Sequence, residues 1–397
     1  MSWRAGERPA RALAVVLSGM FGAYAGLYLI AALGRSGPFR FGDFFALWSY
    51  GRILAAHPAT ELYDPVLLKA RQVALGMAAS GSNPFPYPPS FLPVVWPLGG
   101  FSYDTALAGF MAVTVGLYAL AVAAAGRPRL PLALLAVILP TSTVTLIAGQ
   151  AGFLTGALLL GGMALLPTRQ IAGGVLLGLL ACKPQLGPLV PVALIAARQW
   201  RALAAGAATV LLTALATSAA FGWHIWADWL AYLPDYEAQF QRESGDLLPI
   251  MPTLTANLRM LGVAPVPTRL AQAAAAGLAA LWVWRAYRGQ GPTPRGLLVL
   301  ASATLLATPH AFIYDMPALG GAVLLFAADR VRQAGVFSTA EVFALTLALV
   351  LPVLMLKLGA GVPLSTACLL PLVAVLVAHL PPAAAPAVTR ARPAGRS

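Results

Sequence analysis

The chain has 397 residues, of which 59% are hydrophobic and only 10% charged, and its mean hydropathy is +0.78. Soluble proteins carry charge on roughly a quarter of their residues, so a soluble globular class is excluded. The net charge of +13 is not gathered into a basic stripe interleaved with aromatics. A nucleic-acid partner is therefore excluded too, and the arginines fall in short clusters between apolar runs, where cytoplasmic loops place them.

In chain order, Arg4, Arg8 and Arg11 put the amino terminus in the cytoplasm, ahead of a first span at 12–33. No small-residue cleavage site follows before Arg35, so this span reads as retained. Residues 34–104 form a long exoplasmic segment with Asp43, Glu61, Asp64 and Asp104. Its stretch 91–100 is apolar but short and proline-rich, which predicts an interfacial or re-entrant piece. Spans follow at 105–125, 130–147 and 152–167, the last two joined at Gly149-Gln150. The stretch 171–197 has basic residues at both ends, which predicts two short spans meeting at Lys183-Pro184-Gln185.

A span at 202–221 leads to a second exoplasmic segment, 222–266, and a span at 267–284 returns inside. Spans at 296–308 and 311–328 meet at Thr308-Pro309-His310, and two more are predicted at 340–357 and 363–380, before a basic cytoplasmic tail at 381–397. The predicted fold is an all-α polytopic membrane protein, a single integral membrane domain with about 10–12 transmembrane helices. On this map ten of the thirteen acids face outward, and only Glu7, Asp329 and Glu341 face the cytoplasm. Any chemistry is expected on the outer face. Cys182 and Cys368 form no close pair and no Cys/His ligand spacing, so neither a disulfide framework nor a zinc site is expected.

Four motifs interrupt the apolar pattern on that face. Asp43 sits among Phe44, Phe45 and Trp48, with Arg52 one helical turn beyond Trp48. A carboxylate there loses hydration, which suits a functional charge; the plainer reading is a helix cap with interfacial aromatics. Downstream, Leu62-Tyr63-Asp64 and Tyr87-Pro88-Pro89 also read as turn chemistry. Gly149-Gln150 reads as a polar turn or a ligand contact. Lys183-Pro184-Gln185 places a lysine at a broken helix, suited to a phosphate or to snorkelling. His310, Tyr314 and Asp315 form the fourth motif, with His310 and Tyr314 on one face if a helix starts at Pro309.

The order of these motifs resembles glycosyltransferase family 87, over nearly the whole chain to about residue 330. The resemblance implies a C-type glycosyltransferase bundle that uses a polyprenyl-phosphate sugar, in the plasma (inner) membrane, with its active site outside. It implies Asp43 as catalytic base; Lys183, from its place at the broken helix, is the expected phosphate-binding cation, with His310 and Arg52 as weaker candidates for that role. Trp48, Tyr63, Asp64, Tyr87, Gln150, Gln185, Tyr314 and Asp315 are the expected substrate pocket. The partners implied are membrane lipids, the polyprenyl-phosphate sugar and a lipid or glycan acceptor, with no cofactor. Asp43 lacks a second adjacent acid, which argues against a two-carboxylate metal site, so no metal is expected. Rival readings are a transporter or flippase of lipid-linked intermediates and a membrane scaffold; the absence of an internal repeat between the halves weighs against transport.

Overall fold

The computed structural model describes residues 42–81, 83–126, 130–333, 337–358 and 369, and every regular element among them is helical. In chain order the helices are α1 Gly42–Ala56, α2 Pro65–Ala74, α3 Leu92–Val95, α4 Tyr103–Ala125, α5 Leu130–Ile138, α6 Pro140–Ala148, α7 Gly152–Leu165 and α8 Gln170–Leu179. They continue as α9 Leu189–Ala196, α10 Trp200–Phe221, α11 Ile225–Glu243, α12 Leu254–Met260, α13 Pro265–Tyr287, α14 Pro294–Ala307, α15 Pro317–Arg332 and α16 Thr339–Leu358. The protein is an all-α polytopic membrane protein. The expected first span, Arg127, Arg129, the expected last span apart from residue 369, and the basic tail lie outside the described residues.

Sequence decides which helices sit in the middle. Helices α7 and α14 are apolar on every side and are buried along most of their length, as all-round hydrophobicity requires. Helix α4 packs against α7, and Tyr118 on α4 donates to the Pro317 carbonyl at 2.7 Å, which ties in α15. Helix α10 lies on α8, where Gly174 and Gly178 let the backbone approach Ala202 and Gly206. Both α4 and α10 turn apolar residues outward, including Leu120 and Leu211, as lipid-facing helices do.

Helices α4 and α10, with 23 and 22 residues, are long and apolar enough to cross a membrane, and the α5–α6 pair makes a third span if counted as one. The expected ten to twelve full-length spans are therefore not seen as continuous helices among the described residues. Proline is one reason: α5 and α6 are bent by 62° where Pro140 enters, because proline lacks the N–H that would continue the helix. A 14-residue helix such as α7 rises only about 21 Å, short of a hydrocarbon core about 30 Å thick. The stretch 171–197 does break as predicted, into α8 and α9 joined by two 3-10 turns around Lys183-Pro184. Residues 91–100 form short turns that pack under α1 rather than a span.

Candidate active site

The helix breaks converge. Around them lies a cavity of about 520 Å³, walled by α1, the segment 83–87, Gln150, the 183–185 turn, α11, the 247–250 turn and the loop 310–315. Asp43, Ala46 and Tyr50 reach it together from α1, being spaced i, i+3 and i+7 on one helical face. Tyr50 donates to the carbonyls of Pro84 at 2.6 Å and Asn83 at 3.2 Å. Trp229 of α11 donates to Pro86 at 3.2 Å, and Tyr63 donates to Tyr87 at 3.0 Å. The extended segment carrying Tyr87 is thus pinned from several sides.

Gly149 ends α6 with φ 66°, a left-handed conformation that favours glycine, and so turns the chain to present buried Gln150 to the cavity. At Gly152 a β-carbon would collide with the Tyr314 carbonyl, which also accepts from Thr145 at 2.8 Å. That close approach seats the loop 308–315 against α7.

Lys183 is buried at 2% exposure and donates to Asp315 at 2.5 Å. The second carboxylate oxygen of Asp315 accepts from the Phe312 backbone N–H at 3.1 Å. The rings of Tyr87 and Tyr314 lie 5.8 Å and 5.3 Å from the ammonium, within cation–π reach. A second pair joins His310 Nε2 to Glu237 Oε2 at 3.2 Å, and Gln241 donates to the other Glu237 oxygen at 2.7 Å. The hydrogen bond from His310, helped by Gln241, holds the Glu237 carboxyl down at about 2 against the opposing effect of burial. Asp43 behaves oppositely. Although its side chain is open to the cavity, desolvation by the surrounding protein pushes its carboxyl up, and the charge of Lys183 offsets only part of that push.

Eight of the twelve residues singled out from sequence line this cavity: Asp43, Tyr87, Gln150, Lys183, Gln185, His310, Tyr314 and Asp315. The other four do not. Arg52 bonds the Gly99 carbonyl at 3.0 Å and lies over Trp48, whose indole bonds Phe101 at 3.1 Å. Both therefore point to the turn under α1, on the side of that helix away from Asp43. Asp64 caps α2 through the Val66 and Leu67 amides, so its turn chemistry is realised, and the ring of Tyr63 is packed behind Tyr87. Phe44 and Phe45 are also buried outside the cavity wall. His310 and Tyr314 both line the cavity, but not from one helix face: Thr308 to Phe312 is non-helical, and a 3-10 turn begins only at Ile313.

A family model of glycosyltransferase family 87 matches residues 85–309, more than half of the chain. The chain belongs to glycosyltransferase family 87. No curated protein and no solved structure matches it. Family 87 membership makes the protein a glycosyltransferase, and the transporter and scaffold readings give way to it. The matched stretch is shorter than the resemblance first suggested: it includes Tyr87, Gln150, Lys183 and Gln185 but stops before His310 and begins after Asp43.

The cavity of this family 87 protein also contains residues that sequence reasoning passed over, chiefly Trp229, Leu233, Tyr236, Glu237 and Phe240 on α11. Their spacing of 4, 3, 1 and 3 residues puts them on one helical face. That periodic face was the available signal, obscured because Glu237 is one of several acids in a helix of mixed polar and apolar residues.

Proposed function

We propose that the protein is an inverting glycosyltransferase that moves a hexose, with mannose the candidate, from a polyprenyl-phosphate donor to a lipid or glycan acceptor at the exoplasmic face of the plasma membrane. The observation that carries this reading is that Asp43, raised by desolvation, and the buried cation Lys183 line one cavity with aromatic walls. From the cavity wall, Asp43 accepts the acceptor hydroxyl proton as that oxygen bonds to the anomeric carbon, the role of a general base. The bond from that carbon to the phosphate oxygen breaks, and polyprenyl phosphate leaves with the electron pair. Lys183 meets the growing negative charge. An ammonium has three donors, of which Asp315 takes one, so Asp315 fixes the cation without exhausting it.

Asp43→Asn tests the mechanism, since the amide keeps the shape but takes no proton at neutral pH. Transfer of label from a polyprenyl-phosphate hexose in washed membranes should fall by ~10²–10⁴-fold, the usual effect of losing a general base, while expression and donor binding hold. Retention of more than about a tenth of wild-type turnover, well outside that range, removes Asp43 from this role.

A further inference from the structure

The acceptor side of the reaction has a recognisable chemistry in the cavity. Glu237 sits on α11 between Tyr236 and the Phe240 turn, lines the cavity, and keeps 45% of its side chain exposed. Both of its oxygens are held by neighbouring side chains, one by His310, which also lines the cavity, and one by Gln241 one helical turn along α11. A carboxylate offers about four acceptor sites, so two remain for a ligand. Phe240 packs edge-on at 5.2 Å against His310, the partner of Glu237, and Tyr236, Phe312 and Tyr314 line the same cavity, so the carboxylate shares its cavity with aromatic rings. An oriented carboxylate in an aromatic-lined cavity can accept from the hydroxyls of a sugar ring while the ring's apolar C–H face packs on the aromatic wall.

The charges limit what that ring can be. Asp43, Glu237 and Asp315 contribute three carboxylates to the cavity wall. Lys183 is already paired with Asp315, and His310 compensates Glu237 only when protonated. A donor phosphate adds another negative charge. A further anion beside Glu237 would be repelled within a cavity of low dielectric.

We infer that Glu237, held by His310 and Gln241, is the acceptor-selecting residue, accepting hydrogen bonds from the hydroxyls of an uncharged sugar ring and excluding an anionic one. This rests on the glycosyltransferase reading above and narrows its acceptor from a lipid or glycan to one presenting a neutral sugar.

The test is binding, which is separable from turnover. Full-length protein in zwitterionic nanodiscs is dialysed to equilibrium against radiolabelled heptyl glucoside or heptyl glucuronide, which differ at C6, a hydroxymethyl against a carboxylate; empty nanodiscs correct for partitioning. The wild type should bind the glucoside at least about tenfold more tightly, as expected for a hydrogen bond to an ionised group gained and a like charge avoided. Glu237→Gln should erase that preference, and Glu237→Lys should reverse it. Equal binding of the two ligands by the wild type, or an unchanged preference in Glu237→Gln and Glu237→Lys, overturns the inference. If Glu237→Gln does not fold, Glu237→Lys carries the test, since the half-exposed site admits a longer side chain. Failure of selectivity alongside loss of transfer in Asp43→Asn would remove the acceptor assignment alone. Selectivity without any transfer from a polyprenyl-phosphate sugar would instead remove the proposed donor.

Discussion

Two ion pairs face the same cavity, and they are built in opposite ways. Lys183 and Asp315 are 132 residues apart in sequence, have side-chain exposures of 2% and 1%, and are hemmed in by tyrosine rings. His310 and Glu237 are exposed at 32% and 45% and retain room for a ligand. A buried pair has given up its hydration and depends on its partner, so neither member can be removed alone without leaving an uncompensated charge. An open pair keeps water as an alternative and contributes little to stability. The first pair can hold a cation rigidly under the reacting phosphate. The second can exchange one partner for another.

Breaking the buried pair should have the largest effect on stability. Lys183→Met and Asp315→Asn should each cost about 3–5 kcal/mol, read as a lowered melting temperature of the purified protein. Asparagine can still accept from the Phe312 amide, so any loss there reports the missing charge rather than the missing turn. The double variant Lys183→Met/Asp315→Asn should recover much of the stability but not transfer. If it melts no higher than either single variant, the contrast between the two pairs is wrong.

A smaller effect is expected at Gly152. Alanine there forces the Tyr314 carbonyl, and the loop with both Asp315 and His310, away from α7. Overpacking of this kind costs about 1–3 kcal/mol. Melting and transfer should both fall, and a variant with unchanged melting would show that the loop is not seated by this approach.

The buried pair also reaches Asp43 through charge. As a base Asp43 must be ionised, so transfer should fall as pH drops through its raised pKa, above the usual Asp range of about 4. Lys183 lowers that pKa, so in Lys183→Met the acid limb should move to higher pH. A limb that stays put in the folded variant would separate Lys183 from the base.

The open pair should matter least to folding. His310→Gln should change stability at neutral pH by no more than about 1 kcal/mol. Because the Glu237 carboxyl is held down at about 2, its contribution is present above the ordinary Glu value of about 4.3 and is lost as pH falls towards about 2. A large loss in the neutral melt would mean that this pair too is structural.

The same contrast explains what the sequence revealed. Lys183, Gln150 and Asp43 interrupt apolar runs, and an interruption is conspicuous because the membrane makes it costly. Glu237 lies in a segment rich in acids, where one more carries no signal until its partners are known. Arg52 and Trp48 were legible as an i, i+4 pair, and the structure does stack them. Which way that helical face turned was not legible, since it depends on where residues 95–101 fold back. The pairing of Lys183 with Asp315 was equally hidden, because it joins two helix breaks that only tertiary packing brings together. Pro184 marked its break in the sequence, whereas the bend at Pro140 went unread, since 130–147 reads as one apolar span until the helices on either side are seen to turn by 62°.

The segment 308–315 holds one member of each pair, His310 and Asp315, and is anchored to α6 through the Tyr314 carbonyl. The two clusters are therefore not thermodynamically independent. A ligand that draws Lys183 from Asp315 loosens the span on which His310 sits, and a ligand that takes up Glu237 loosens the span on which Asp315 sits. Free-energy linkage makes that influence equal in both directions. The affinity measured for either substrate should then depend on whether the other is already bound, a coupling carried by eight consecutive residues.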